Sequence, residues 1–128
     1  MNYQGKRWRT IWRNEDDTVG VIDQRVLPHE FCTLTLRTME EAAEAIRNMT
    51  VRGAPLIGAT AAYGICLALQ RDASDAALKS AYDTLHATRP TAINLKWALD
   101  QMRSAVEQLP PAKRLDVAWT RAAGLCDE

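Results

Sequence analysis

Neither sign of charge predominates in this chain: sixteen Lys and Arg residues balance sixteen Asp and Glu over 128 positions. That balance excludes a net field drawing the molecule to nucleic acid or to an anionic membrane, so any anion site must be local. Cysteine is sparse. Cys32, Cys66 and Cys126 are odd in number and widely spaced, which fits neither a disulfide framework nor a metal-ligand spacing. No metal site is expected, and a reducing cytoplasm is the compartment predicted. No signal peptide is expected either, because Lys6, Arg7 and Arg9 precede a charged turn where an apolar core would be required. The longest uncharged run, Ala54 to Gln70, is short for a membrane span and carries Gly58, Thr60, Tyr63 and Gly64. It predicts a helix buried in protein, and no membrane partner. There is no internal repeat and no low-complexity segment.

What is present suffices for one domain over residues 1–128, with 47% hydrophobic residues to build a core. Arg7 to Arg13 alternates, with Trp8 and Trp12 on one face, and Val19 to Asp23 follows the polar turn Asn14-Glu15-Asp16-Asp17, which predicts a hairpin. Beyond a connector containing Pro28, Phe31 to Leu36 alternates again and places Cys32, Leu34 and Leu36 on one apolar face. The fold class predicted is α+β, a small three-stranded antiparallel sheet followed by a bundle of about five helices. Thr38 with Glu41 forms a capping box, and Ala42, Ala45, Ile46 and Met49 recur at helical spacing behind it. Pro55 to Gln70 is apolar all round. Further stripes run through Leu78, Ala81, Tyr82 and Leu85, through Leu95, Leu99, Met102 and Val106, and, after Pro110-Pro111, through Leu115, Trp119, Ala122 and Cys126.

Two helix starts are suited to an anion. In Val51-Arg52-Gly53-Ala54-Pro55, glycine lets the backbone turn closely and proline suits the first helical turn. Free N–H groups there converge on a ligand, the helix dipole favours negative charge, and Arg52 adds a fork of donors matched to phosphate oxygens. Thr88-Arg89-Pro90-Thr91 repeats the arrangement before the helix carrying Leu95, with Thr91 at the expected cap. Each segment alone also reads as an ordinary helix start with a surface arginine, and whether the two converge is not visible in the sequence.

These segments also carry a family resemblance. Ile22-Asp23-Gln24 with Leu27-Pro28, then Val51 to Pro55 with Ile57-Gly58 and Ala61-Ala62-Tyr63-Gly64, then Arg89-Pro90-Thr91-Ala92 with Asn94-Leu95 and Trp97-Ala98-Leu99 resemble the methylthioribose-1-phosphate isomerases in the same order. The resemblance spans nearly the whole chain. It implies an aldose-ketose isomerase of methionine salvage, converting 5-methylthioribose 1-phosphate into 5-methylthioribulose 1-phosphate with no organic cofactor, and a homodimer for full-length members. The substrate's anomeric carbon carries the phosphate, so the site must hold that phosphate while the ring opens. Carried over residue by residue, Arg52, Gly53 and Ala54 match a substrate-contacting loop and Arg89 a second substrate-binding arginine.

The resemblance does not supply catalytic residues. The family's catalytic Cys and Asp lie in a second, Rossmann-like domain, the Cys in a Cys-Asn-small-Gly stretch that does not occur here. The expectation is therefore an N-terminal domain that binds a sugar phosphate and is inactive alone. Cys32, Cys66 and Cys126 are expected in the core, as are the large aromatics, while His29 and His86 are assigned surface or structural roles. Asp23 and Gln24 are expected to support the sheet. Two other readings stay open: a regulatory or protein-binding module, since the family is related to the translation initiation factor 2B regulatory subunits, and part of a ribose-bisphosphate isomerase.

Overall fold

The computed structural model describes residues 2–3, 6–7, 10–26 and 29–127. Trp8, Leu27 and Pro28 lie outside them, as does the side chain of Cys126, so the shared Trp8 and Trp12 face, the Leu27-Pro28 block and the core placement of Cys126 are not addressed. The architecture is α+β. Strands β1 (Asn2–Tyr3) and β2 (Lys6–Arg7) form a small antiparallel pair. Strands β3 (Ile11–Arg13), β4 (Val19–Ile22) and β5 (Thr33–Leu36) form the antiparallel sheet, with β4 central. The single strand expected over Arg7 to Arg13 is thus two strands in separate sheets, with a bend at Thr10.

Register follows side-chain size. Trp12 stands opposite Gly20, and a Cβ on Gly20 would fall 2.2 Å from the Trp12 indole, so only glycine lets that ring lie across β4. All four residues of β4 are buried, whereas β5 buries only Leu36. Leu34 is exposed and Cys32 half-buried, its Sγ donating to Glu30 Oε2 at 3.8 Å. The apolar face predicted for Cys32, Leu34 and Leu36 is therefore corrected. β5 is an edge strand, and only its Leu36 end reaches the core.

Helix α1 (Met39–Arg47) begins as its capping box requires, with the Glu41 amide donating to Thr38 Oγ1 at 3.1 Å. Its reciprocal arm reaches one residue further back, where Arg37 N donates to Glu41 Oε1 at 2.7 Å. Met49 lies outside α1, with φ +67 and an exposed side chain, which corrects its assignment to the stripe. Helix α2 (Ala54–Arg71) is buried on every side. It is the axis of the bundle, packed against α1, α3 (Asp75–Thr88), α4 (Ile93–Val106) and α5 (Pro111–Asp127). Leu78, Ala81, Tyr82 and Leu85 of α3 and Leu95, Leu99, Met102 and Val106 of α4 are buried as their spacing predicts. No described helix is long and apolar enough to cross a membrane.

One buried polar residue ties the bundle's far end together. Arg114 of α5, 3% exposed, donates from Nε to the carbonyls of Val106 and Leu109, from Nη1 to Ala73, and from Nη2 to Glu107 O and Asp75 Oδ1. It thereby satisfies carbonyls at the end of α4 that the helix itself leaves open.

Candidate functional site

The sheet is fixed along α2 at both ends. Gln70 Nε2 donates to Asp17 O at 3.1 Å near the helix's end. At its start, Gln24 N donates to Thr50 O at 2.8 Å and Arg52 Nη2 donates to Gln24 O at 3.2 Å. Asp23 shapes this junction. Its buried carboxylate accepts from Arg25 N and Nε, both at 3.0 Å, and from Arg25 Nη2 at 2.9 Å. The structural part expected of Asp23 and Gln24 is thus specific: Gln24 docks the sheet onto the loop that carries Arg52, and Asp23 fixes Arg25 on the other side of Gln24.

The Arg25 guanidinium hydrogen-bonded to Asp23 holds its carboxyl below the ordinary value of 3.8. A carboxyl depressed on folding adds stability that is complete above the unfolded value and is lost as pH falls through the folded one. Asp23→Asn is accordingly expected to be less stable than the wild-type chain at neutral pH, with the two converging below pH 3.8. Urea midpoints at stepped pH values read this directly, and a constant gap across the acid range would remove Asp23 from the acid response.

The start of α2 is made by Gly53, whose φ of +91 is open to glycine but strained for any residue bearing a Cβ. No side chain caps this helix, and none caps α4, where the N-cap is Ala92 and not the Thr91 expected. The starts of α1 and α3 contrast with these, since Thr38 and Ser74 accept from their first turns. These two starts, neither of them capped by a side chain, also meet.

Gly53, Ala54 and Arg89, with Thr91 and Asn94, line one cavity of about 420 Å³. Arg52 lines a neighbouring cavity of about 290 Å³ with Thr10, Gln24 and Leu56, and Gly53 stands in the wall of both. Three of the four predicted site residues therefore share one cleft, and the fourth lies across the Gly53 backbone from it. Sequence reasoning gave no binding role to Gln24, Thr91 or Asn94, although all three fall in or beside the blocks that carry the resemblance.

Glycine at position 58 makes the meeting possible. A Cβ there would stand 3.1 Å from the Asn94 carbonyl oxygen, so its absence lets α4 cross α2 closely beside both starts. Because the neighbour is helix backbone and not a mobile side chain, Gly58→Ala is expected to cost about 1–3 kcal/mol of stability and to spread the cleft. Denaturant unfolding measures the first effect and phosphate affinity the second. No loss in either would mean that the crossing has slack.

Other candidates are less equipped. Cys66 is fully buried, and burial pushes its thiol well up, so it is no nucleophile. His86 lies against Tyr82, with ring centroids 6.1 Å apart, and His29 is exposed. Among the described residues, no group of three or more His, Cys, Asp or Glu side chains could hold a metal ion. A larger cleft of about 590 Å³ at the opposite end of α2 brings Arg37 and Arg71 together with Glu40 and Asp72, so its charges offset one another.

Fold and site together define an α+β domain with a cleft between two helix starts, lined by Gly53, Ala54 and Arg89. Residues 50–122 match the model of the initiation factor 2 subunit family, and the chain belongs to that family. It is 58% identical to the methylthioribose-1-phosphate isomerase of Paramagnetospirillum magneticum over all of its own length, covering 36% of that protein. Among solved structures, it resembles the 5-methylthioribose 1-phosphate isomerase of Pyrococcus horikoshii with a TM-score of 0.86 at 38% identity, over 95% of this chain and 36% of that one. It also resembles the delta subunit of translation initiation factor eIF-2B from A. fulgidus, at 0.85 and 32%, over 93% and 36%. The resemblance drawn from the sequence blocks is borne out, and the chain spans about a third of the length of the methylthioribose-1-phosphate isomerases it matches.

Proposed function

We propose that this chain is the N-terminal, phosphosugar-binding part of an aldose-ketose isomerase acting on 5-methylthioribose 1-phosphate. The single observation that carries the reading is the meeting of the uncapped starts of α2 and α4 around Gly53, with Arg52 and Arg89 on either side. In this reading both arginines hold the phosphate, the amides of the two first turns add donors, and the helix dipoles favour the dianion. Holding the phosphate restrains the anomeric carbon while the ring opens. The proton transfer that exchanges aldose for ketose belongs to residues of a second, Rossmann-like domain, so the chain alone binds and does not catalyse.

A chimaera in which this chain replaces the matching third of the P. magneticum isomerase tests the proposal. It should convert 5-methylthioribose 1-phosphate to the ketose, whereas the chain alone should bind inorganic phosphate weakly and show no turnover. A folded but inactive chimaera, or an active isolated chain, would overturn it. The likeness to the A. fulgidus delta subunit favours a second reading, a regulatory protein-binding module. An inactive chimaera that binds no sugar phosphate would support that module.

A further inference from the structure

The block Ile22-Asp23-Gln24 carries part of the family resemblance, yet holding a phosphate gives it no task. Its main chain is fixed from both sides. Asp23 N donates to Cys32 O at 2.9 Å, tying the chain just beyond β4 to the segment that enters β5. The Asp23 carboxylate, 5% exposed, then turns the chain, since Oδ1 accepts from Arg25 N while the Arg25 fork closes on both oxygens. Gln24 stands within that turn, and both of its main-chain groups engage the loop before α2, the N–H donating to Thr50 O and the carbonyl accepting from Arg52 Nη2. The loop is itself braced, because Asn48 Oδ1 accepts from Thr50 N at 3.0 Å and from Thr50 Oγ1 at 2.7 Å. Arg52 has no other hold. Its side chain is exposed, and Gln24 O is its one hydrogen-bond partner among the described residues, whereas Arg89 is half-buried where α3 ends. No ring supports Arg52 either: among the described residues, the stacked guanidiniums include those of Arg13 on Trp119 and Arg103 on Tyr82. Trp97, expected in the core, is instead 46% exposed on α4, which corrects that assignment, and no described guanidinium lies on it.

We infer that Asp23 and Gln24 are positioning residues for Arg52: the turn at the end of β4 selects the orientation of the guanidinium and holds it before a ligand arrives. The inference rests on the proposed function, in which Arg52 binds phosphate. A free arginine side chain carries large rotamer entropy, and affinity falls when the ligand itself must freeze it. A carbonyl that accepts one terminal N–H restricts those rotamers and leaves the other donors of the fork for phosphate oxygens. Asp23 fixes the turn, the turn fixes the Gln24 carbonyl, and the carbonyl fixes Arg52. Gln24 lines the Arg52 cavity itself, whereas Asp23 lines neither cavity at the helix starts. Asp23 is therefore the residue whose effect on a ligand must pass through Arg52.

A double-mutant cycle in the chimaera tests this. Asp23→Ala should raise KM for 5-methylthioribose 1-phosphate about three- to ten-fold with kcat little changed, the pattern of lost ground-state binding. In an Arg52→Ala background the same substitution should change KM by less than about two-fold, because the side chain it positions is gone. Asp23→Asn keeps an Oδ1 acceptor for Arg25 N and should recover most of the loss; it also carries the cycle if the alanine variant does not fold. An equal factor in both backgrounds would overturn the inference, reducing Asp23 to general support of the fold. So would an unchanged KM in Asp23→Ala where Arg52→Ala raises it. A second readout needs no substrate. In the chain alone, the Nε–H signal of Arg52 in heteronuclear NMR, assigned by its loss in Arg52→Ala, should be ordered in the wild type and averaged in Asp23→Ala. Equal order in both would overturn the inference whatever the ligand. A KM unmoved by Arg52→Ala, with that signal still loosened by Asp23→Ala, would count against the phosphate role of Arg52 and support its positioning by the turn.

Discussion

Arg114→Ala is expected to lower the folding free energy by about 3–5 kcal/mol, the combined cost of main-chain carbonyls that lose a donor at about 1–3 kcal/mol for each one left buried and unsatisfied. The guanidinium is almost wholly buried and donates to four main-chain carbonyls from two segments of chain, Ala73 before α3 and Val106 to Leu109 at the end of α4. Alanine takes that donor away; Val106 O still accepts from Leu109 N and Glu107 is exposed, so the penalty falls mainly on the half-buried carbonyls of Ala73 and Leu109. Its one carboxylate partner contributes little, because the Asp75 side chain is 89% exposed and water screens the pair. Asp75→Ala should therefore cost at most about 1 kcal/mol, and Arg114→Lys should recover only part of the loss, since an ammonium cannot span the fork. Urea unfolding of the three variants separates these terms. Equal losses for Arg114→Ala and Asp75→Ala would reduce the arrangement to a surface ion pair.

The second large effect concerns binding. In the chimaera, Arg52→Ala and Arg89→Ala should each weaken substrate binding by about 1.5–3 kcal/mol, the usual value of a hydrogen bond to a charged group. The double variant should lose still more than either. Arg52 gives one N–H to Gln24 O and retains others for a ligand, so its removal also loosens the sheet from the α2 start. Arg52→Lys separates these roles: a lysine keeps charge near the cleft but not the fork. Calorimetric titration with the aldose phosphate measures all four proteins, and full affinity in either alanine variant would remove that arginine from the site.

Much of the bundle was legible because its signals are local. The stripes of α3 and α4 and the Thr38 cap depend on residues three and four apart, and the structure keeps them. The sheet was less legible for the same reason inverted. Alternation in Phe31 to Leu36 suggests a buried face, but burial requires a covering layer, and β5 at the edge has none over Leu34. Met49 continues the α1 stripe on paper, yet its left-handed backbone lies in the turn that leads to Gly53. The site was visible as two motifs and invisible as one place, since their meeting rests on the closeness of Gly58 to Asn94, a contact between residues 36 positions apart. Arg114 gave no signal at all, because a lone arginine beside Pro110-Pro111 reads as a solvated charge until the carbonyls around it are placed.

The all-round burial of α2 bears on how the domain opens. Its flanks are supplied by α1, α3, α4 and α5 together, so detaching any one of them strips apolar surface from the axis. Partial opening that spares α2 is thus costly, and its amides should exchange with solvent mainly through global unfolding, later than those at the ends of the outer helices. Unfolding should accordingly be two-state, with the two arginine-bearing helix starts formed and lost in a single cooperative event.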